Sequence, residues 1–176
     1  MHQSTRTWRA FTALLTGLLI VVATSLVAAA PAEARATRLS HREAAKSLRA
    51  ANITWSSTGG CSDRNNPTCT SFSKIRRSTV RGIRTFKRAS HCRVHITGAT
   101  ETGHDTSLRY SHWRGWKVDI SKTRCVKRYI RNNFRNLGLT RGVPTWRSSG
   151  GNVYRDEGDH WDIAYCYHQP RCVSGS

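Results

Sequence analysis

The six cysteines constrain the fold of this 176-residue chain more than any other feature. They form an even set after residue 60: Cys61, Cys69, Cys92, Cys125, Cys166 and Cys172. An even count in an exported chain indicates disulfides, here up to three. The short spacings favour Cys61–Cys69 and Cys166–Cys172 as local bridges, which leaves Cys92–Cys125. A zinc site made of cysteines is the other interpretation, but the chain has no C-x-x-C pair.

An apolar segment near the amino terminus predicts export. Two arginines precede an uncharged apolar run over 11–30, and a small-x-small pattern follows over 32–34. This is the layout of a secretory signal peptide, and we expect cleavage after Ala34. The alternative is an uncleaved membrane anchor, because about 20 apolar residues can span a bilayer. The predicted organisation is a signal peptide over 1–34, an N-terminal helix and loop over 35–69, and a main domain over 70–176.

Basic residues dominate the charge. The chain has 29 Lys and Arg against 10 Asp and Glu, and its formal net charge is +19. Removing 1–34 takes away two arginines and one glutamate, so the exported part would carry +18. Such a surface attracts anions, and outside a cell these include anionic wall polymers. No recognised motif orders the arginines for nucleic acid, so we expect no specific nucleic-acid partner. The apolar content of 38% and six tryptophans argue against a disordered chain.

Three segments have the periodicity of helices. Ser40 and Glu43 form a capping-box pattern, which predicts a short first helix. Apolar residues over 72–86 recur at helical spacing and predict a second helix with a basic outer face. A third helix is predicted over 123–137, because a glycine follows it. The Ser/Gly/Asn/Pro-rich stretch over 54–69 predicts a loop closed by the first cysteine pair.

Alternating apolar and polar residues predict strands over 92–97, 116–121 and 160–165. Successive side chains of a strand point to opposite faces, so Asp119 and His160 lie opposite the apolar side chains of their strands. Helices outside a short sheet predict a single α+β domain, with a small antiparallel sheet flanked by helices and stabilised by disulfides.

Two short motifs combine histidines and carboxylates in a pattern that suits zinc. His112 and Asp119 lie seven residues apart around Gly115, so His112 is expected on the loop that enters the strand of Asp119. Glu157 precedes His160 by three residues. Two imidazoles and one carboxylate leave a fourth zinc position open for water, and a separate carboxylate can act as its general base. Either half alone is more simply an ion pair, but both on one small sheet predict a metal site.

The two motifs together resemble a known family. They read Ser111-His112-x-x-Gly115-x-x-x-Asp119 and, further along, Glu157-x-x-His160-Trp161. The combination is similar to the zinc D-alanyl-D-alanine peptidases of the peptidase M15 group, whose fold is shared with the Hedgehog signalling domain. The likeness is strongest over 97–119 and 152–163 and covers roughly 70–167.

The resemblance implies a zinc-dependent hydrolase of peptidoglycan stem peptides, either a D-Ala-D-Ala carboxypeptidase or a related endopeptidase. By this resemblance Zn²⁺ is bound by His112, Asp119 and His160, and Glu157 is the catalytic base. Members commonly carry a substrate-binding arginine upstream of the first ligand, and this chain departs from that pattern. The candidates for substrate contacts are Arg93, Arg109, Ser111 and His104, the last as a donor to the developing oxyanion or as a polar surface residue.

A non-catalytic cell-wall-binding module is the competing interpretation. Such a module would keep zinc as a structural ion and use the tryptophans among the arginines as its surface, although strand tryptophans more often belong to the core. A nucleic-acid binder or secreted nuclease fits the charge alone. We expect a secreted, cell-wall-associated monomer whose partners are peptidoglycan peptides and anionic wall polymers.

Overall fold

The computed structural model describes residues 37–104, 106–167, 169, 172 and 173. The signal peptide predicted over 1–34 lies outside these residues and stays a prediction. The helices are α1 (His41–Arg49), α2 (Arg77–Ser90) and α3 (Arg124–Asn133), with a 3-10 turn at Thr58–Gly60. The strands are β1 (Arg38–Leu39), β2 (Thr54–Trp55), β3 (Ile75–Arg76), β4 (His95–Gly98), β5 (Lys117–Ser121), β6 (Arg135–Thr140), β7 (Val143–Arg147), β8 (Val153–Asp156) and β9 (His160–Ala164). No helix in this part of the chain is long and apolar enough to cross a membrane.

A seven-stranded sheet lies at the centre of the domain, in the order β2-β4-β5-β9-β8-β7-β6. The pair β2–β4 is parallel and the other neighbours are antiparallel, while β1 and β3 form a separate two-stranded sheet. The α+β class is confirmed, but the sheet is larger than predicted and mixed rather than antiparallel. The hairpin β6–β7 was missed because β6 is an edge strand in which no residue is buried, so the expected alternation is absent.

The helices differ from the predicted boundaries at two ends. The capping box of α1 is confirmed, since the Ser40 amide donates to Glu43 Oε2 at 2.8 Å and the Glu43 amide donates to Ser40 Oγ at 3.3 Å. Helix α2 begins at Arg77 rather than at 72, because Phe72 and Ile75, whose spacing matches a helix, are buried in a turn and in β3. Helix α3 ends at Asn133 rather than at 137, since Phe134 already has extended backbone and leads into β6.

Three disulfides join Cys61 to Cys69, Cys92 to Cys125, and Cys166 to Cys172. The pairing favoured by the spacing is therefore confirmed. Cys92–Cys125 is the long-range bridge, and it ties the segment before β4 to the first turn of α3. Export remains a prediction that the disulfides support.

The two faces of the central sheet have different chemistry. One face carries Val118, Ile120, Trp161 and Ile163, which are buried and pack with apolar side chains of the three helices. The opposite face carries charged side chains that are also buried: Lys117, Asp119, Arg155 and Asp162. Buried charge on this scale is costly unless the groups are paired or hold an ion.

Candidate metal centre

The charged face of the sheet forms the floor of a cleft of about 340 Å³. A row of residues crosses this floor, in which each is the direct partner of the next on the neighbouring strand: Gly98, Asp119, Asp162, Arg155 and Thr145. The predicted site residues His104, His112, Asp119, Glu157 and His160 all line the cleft. The structure therefore brings together two motifs that are far apart in the chain.

Asp119 lies at the centre of the site and only 5% of it is exposed. Its Oδ1 is 3.3 Å from His112 Nε2 and 3.7 Å from His160 Nε2. Its Oδ2 is 3.8 Å from His104 Nδ1. Among the described residues, no donor makes a well-aligned hydrogen bond to the buried Oδ1. A buried carboxylate oxygen left in this state is the kind of ligand that a cation needs.

His112 and His160 each present the same nitrogen to Asp119. His112 lies on the loop entering β5, and its Nδ1 contacts the Ala99 carbonyl at 2.7 Å. His160 begins β9, and its Nδ1 contacts Asp159 Oδ1 at 2.7 Å. Because the acceptors hold the Nδ1 protons, Nε2 is the nitrogen of each ring that can bind a metal once its own proton has left. Metal-binding histidines are usually oriented by a second hydrogen bond of this kind.

His104 belongs to the cluster as well. Its ring stacks on the ring of His112 with centroids 4.0 Å apart, and its Nε2 is 3.4 Å from Glu101 Oε1. One ligand atom from each of His104, His112 and Asp119 lies within 4.8 Å of the others, so these three residues could hold a metal ion. His104 was predicted as a substrate contact, and the structure places it in the group that could hold a metal ion.

Glu157 lies on the turn between β8 and β9, and its side chain is 36% exposed. The turn is closed by the Glu157 amide, which donates to the His160 carbonyl at 3.2 Å. Glu157 Oε2 is 3.4 Å from His160 Nε2. The carboxylate is thus beside the metal cluster and open to the cleft, as a group exchanging protons with water must be.

The electrostatics of the cluster favour positive charge between the carboxylates. The hydrogen bond with Glu157 raises the pKa of His160 to about 9, and the same contact lowers the pKa of Glu157. Burial opposes ionisation of both His112 and Asp119, yet their mutual attraction outweighs it, so the pKa of His112 is raised and that of Asp119 is lowered. A site that stabilises protons on two imidazoles would also stabilise a metal cation.

Three buried charged residues of the cleft, Lys117, Asp162 and Arg155, were not predicted from the sequence. Lys117 Nζ is 2.5 Å from Asp162 Oδ2, while Asp162 Oδ1 has no hydrogen-bond partner among the described residues. Arg155 Nη2 donates to the Val173 carbonyl at 2.7 Å. All three are less than 10% exposed and line the cleft. Alternation is the signal that could have found them: each lies one strand position from a residue of the apolar face, and therefore on the same face as Asp119.

The other predicted substrate contacts lie outside the cleft lining. The Arg109 guanidinium is exposed and 5.7 Å from the Tyr110 ring. Ser111 is buried, and its Oγ accepts a hydrogen bond from the Arg114 amide at 3.3 Å, which fixes the loop after His112. Arg93 is exposed beside the Cys92–Cys125 bridge. Of the predicted contacts, only His104 lines the cleft.

The residues present fit a metal ion. The cluster offers imidazole nitrogens and a carboxylate oxygen, a donor set that suits zinc and other divalent transition metals. The unpaired Oδ1 of Asp119 and the anchored rings of His112 and His160 point to the same conclusion. Comparison with family models, curated proteins and solved structures gives no match for this chain.

Proposed function

We propose that this protein is an exported zinc peptidase that hydrolyses an amide bond in peptidoglycan stem peptides, as a D-Ala-D-Ala carboxypeptidase or a related endopeptidase. One observation carries the proposal. Asp119 Oδ1 lies 3.3 Å from His112 Nε2 and 3.7 Å from His160 Nε2, with the Glu157 carboxylate beside them in an open cleft. Two histidines and one carboxylate plus a separate acid are the parts of a hydrolytic zinc site.

The ligands would be His112, Asp119 and His160. Zinc bound there would supply Lewis acidity that polarises the scissile carbonyl and acidifies water. Glu157 Oε2 would take the proton from the attacking water and return it to the departing amine nitrogen. The Ala99 carbonyl and Asp159 would keep the two rings in the tautomer that faces the site.

Beside the candidate metal site, a group of charged residues lines another part of the cleft, which we call its second end. Lys117 and Arg155 contribute two positive charges and Asp162 one negative charge, so this end is net positive and suits a carboxylate of the substrate. Asp162 Oδ1 would accept the amide N–H next to that carboxylate, which satisfies the buried oxygen that lacks a partner. These contacts favour a carboxypeptidase over an endopeptidase, and Arg155 would act as the substrate-binding arginine, since Arg93 and Arg109 lie outside the cleft lining.

A specific observation favours a second candidate, a wall-binding module with a structural zinc site. His104 lies in the same cluster as His112 and Asp119. If His104 and His160 both bound the ion, four protein ligands would close the site, and closed four-ligand sites are typically structural. The two candidates therefore differ in whether His104 is a ligand.

Hydrolysis of a stem pentapeptide tests the proposal. The protein should release D-Ala, and a chelator should stop the release. Glu157→Gln should keep the bound zinc but lose about 10²- to 10⁴-fold in turnover, the usual contribution of a general base. Asp63→Asn, an acid outside the cleft lining, is the matched control and should retain full activity. Unchanged turnover in Glu157→Gln contradicts the proposed base, and wall binding without any product supports the module.

A further inference from the structure

A second concave site, separate from the charged cleft, is lined by basic side chains. It has a volume of about 450 Å³ and is formed by Arg38, Arg64, Lys74, Thr106, Trp113 and Arg114. We call it the basic pocket. Among the described residues, no aspartate or glutamate lines it. Four cations therefore converge on one site without a described carboxylate to neutralise them.

Two arginines of the basic pocket are held rigidly by backbone groups. Arg38 Nη1 donates to the Lys74 carbonyl at 2.8 Å and to the Arg114 carbonyl at 3.0 Å. Arg64 Nε donates to the Thr100 carbonyl at 3.0 Å, and its Nη2 donates to the Trp113 carbonyl. The Arg64 guanidinium also lies 3.4 Å from the centroid of the Trp113 ring. Most exposed arginines are mobile, so this anchoring lowers the entropy cost of binding an anion.

The like charges in the basic pocket oppose one another. Burial and the nearby Arg38 charge both lower the pKa of Arg64. Carbonyl oxygens and an aromatic face hold the arginines, but these groups carry no full negative charge. An anion in the pocket would relieve the repulsion, and a phosphate offers several oxygens to guanidinium N–H groups at once.

We propose that the basic pocket binds phosphate groups of an anionic polyol-phosphate wall polymer. Arg38 and Arg64 provide fixed N–H donors, while the exposed side chains of Lys74 and Arg114 provide mobile positive charges at the rim. A nucleic acid is the less suitable occupant, because single-stranded nucleic acids bind by base stacking and Arg64 already covers one face of Trp113. The choice of a wall polymer rests on the proposed export of the chain, but not on the proposed peptidase activity, because none of the metal-cluster residues lines this pocket.

Binding of a defined polyglycerol-phosphate polymer to the full chain tests this inference. Lys74→Gln combined with Arg114→Gln removes two positive charges from the rim. Neither side chain makes a described hydrogen bond that the fold requires. The matched control, Arg93→Gln with Arg128→Gln, removes the same charge at exposed positions outside the pocket. The first pair should weaken binding at least tenfold and reduce the slope of log K against log salt by about 1 to 2, whereas the control should change affinity less than about twofold.

Three outcomes would overturn the inference. Equal losses in the two double variants would mean that binding follows net charge alone. No measurable affinity of the wild-type chain for the polymer would exclude this polymer as the ligand of the basic pocket. Tighter binding of single-stranded DNA than of the polymer, with the same loss in Lys74→Gln and Arg114→Gln, would assign the pocket to nucleic acid instead. Circular dichroism of each variant verifies that the fold is intact.

Discussion

Asp119 lies directly opposite Asp162 across the antiparallel pair β5 and β9, and both carboxylates are buried. Opposite residues in such a pair have Cβ atoms about 5 Å apart, and like charges there destabilise a sheet. The structure separates their roles. Lys117 neutralises Asp162 at 2.5 Å, whereas imidazoles surround Asp119. Asp119 is thus the carboxylate that is available to a metal cation.

Removing Lys117 should destabilise the fold through repulsion between the carboxylates of Asp119 and Asp162. In Lys117→Met, Asp162 would stay buried without its cation beside Asp119, and the free energy of unfolding should fall by about 3–5 kcal/mol. Urea unfolding measures the change. Adding Asp162→Asn should recover at least half of the loss, because the unpaired charge is gone. A stability of Lys117→Met within about 0.5 kcal/mol of wild type would show that the pair does not compensate the buried charge.

Gly98 is required because Asp119 lies against its backbone. A Cβ at this position would be 2.6 Å from Asp119 Oδ2 and 3.2 Å from two atoms of the His104 ring. Gly98→Ala should therefore displace the carboxylate and lower zinc affinity about 10- to 100-fold, as loss of a supporting contact does. Competition with a chromogenic chelator measures this affinity.

The matched control for Gly98→Ala is Gly150→Ala. A Cβ at Gly150 would have its nearest neighbour at 3.7 Å, which is ordinary van der Waals contact. Its zinc affinity should equal that of the wild type. Equal zinc affinities in the wild type, Gly98→Ala and Gly150→Ala would mean that Asp119 can move without cost. That result would contradict the tight packing of Asp119 against Gly98.

Glu101 clamps the loop that precedes the cluster. Its carboxylate accepts hydrogen bonds from the Ser71 amide at 2.7 Å and from the Ala99 amide at 2.8 Å. Glu101→Gln would place an amide NH₂ against one of these two donors and leave a carbonyl oxygen for the other, and it should cost about 2–3 kcal/mol at neutral pH. Thermal unfolding measures the loss, and Glu43→Gln, on the exposed end of α1, should cost less.

The Glu101 clamp should also depend on pH. Burial alone raises the pKa of Glu101, but hydrogen bonds from His104, Ser71 and Ala99 outweigh it and hold the pKa below its usual value of 4.5. The stabilisation is therefore complete above about pH 4.5 and is lost as the pH falls through the lower pKa of the folded state. The stability gap between wild type and Glu101→Gln should narrow in that range. A gap that stays constant would show that Glu101 is not ionised in the fold.

The sequence predicts the residues of the site better than the architecture around them. The positions of His112 and Asp119 are predicted from the change of a loop into a strand. The alternation of apolar and polar residues predicts that Asp119 and His160 lie on the side of the sheet opposite the apolar side chains. Those are local signals, and the structure agrees with both positions. The proximity of the two motifs also depends on the pairing of β5 with β9, which only the tertiary structure reveals.

Non-local effects explain what was missed. The strand β6 has an Arg-Asn-Leu-Gly sequence with little alternation, and it forms because β7 pairs with it in a hairpin. Lys117 and Arg155 are charged residues that sequence reasoning assigns to solvent, but the cleft floor buries them beside Asp162. His104 was predicted as a substrate contact, but its place in the metal-binding group is revealed only by its contacts with His112 and Asp119, since nothing in its spacing distinguishes it from a surface histidine.

The zinc content of the purified protein tests the central claim most directly. We expect one zinc per chain by elemental analysis. His112→Ala should lose this zinc, because it removes the imidazole that contacts Asp119 and is oriented by the Ala99 carbonyl. His95→Ala is the matched control, since His95 contacts Thr54 and does not line the cleft. It should retain one zinc. A His112→Ala protein that binds as much zinc as the wild type would contradict the metal centre.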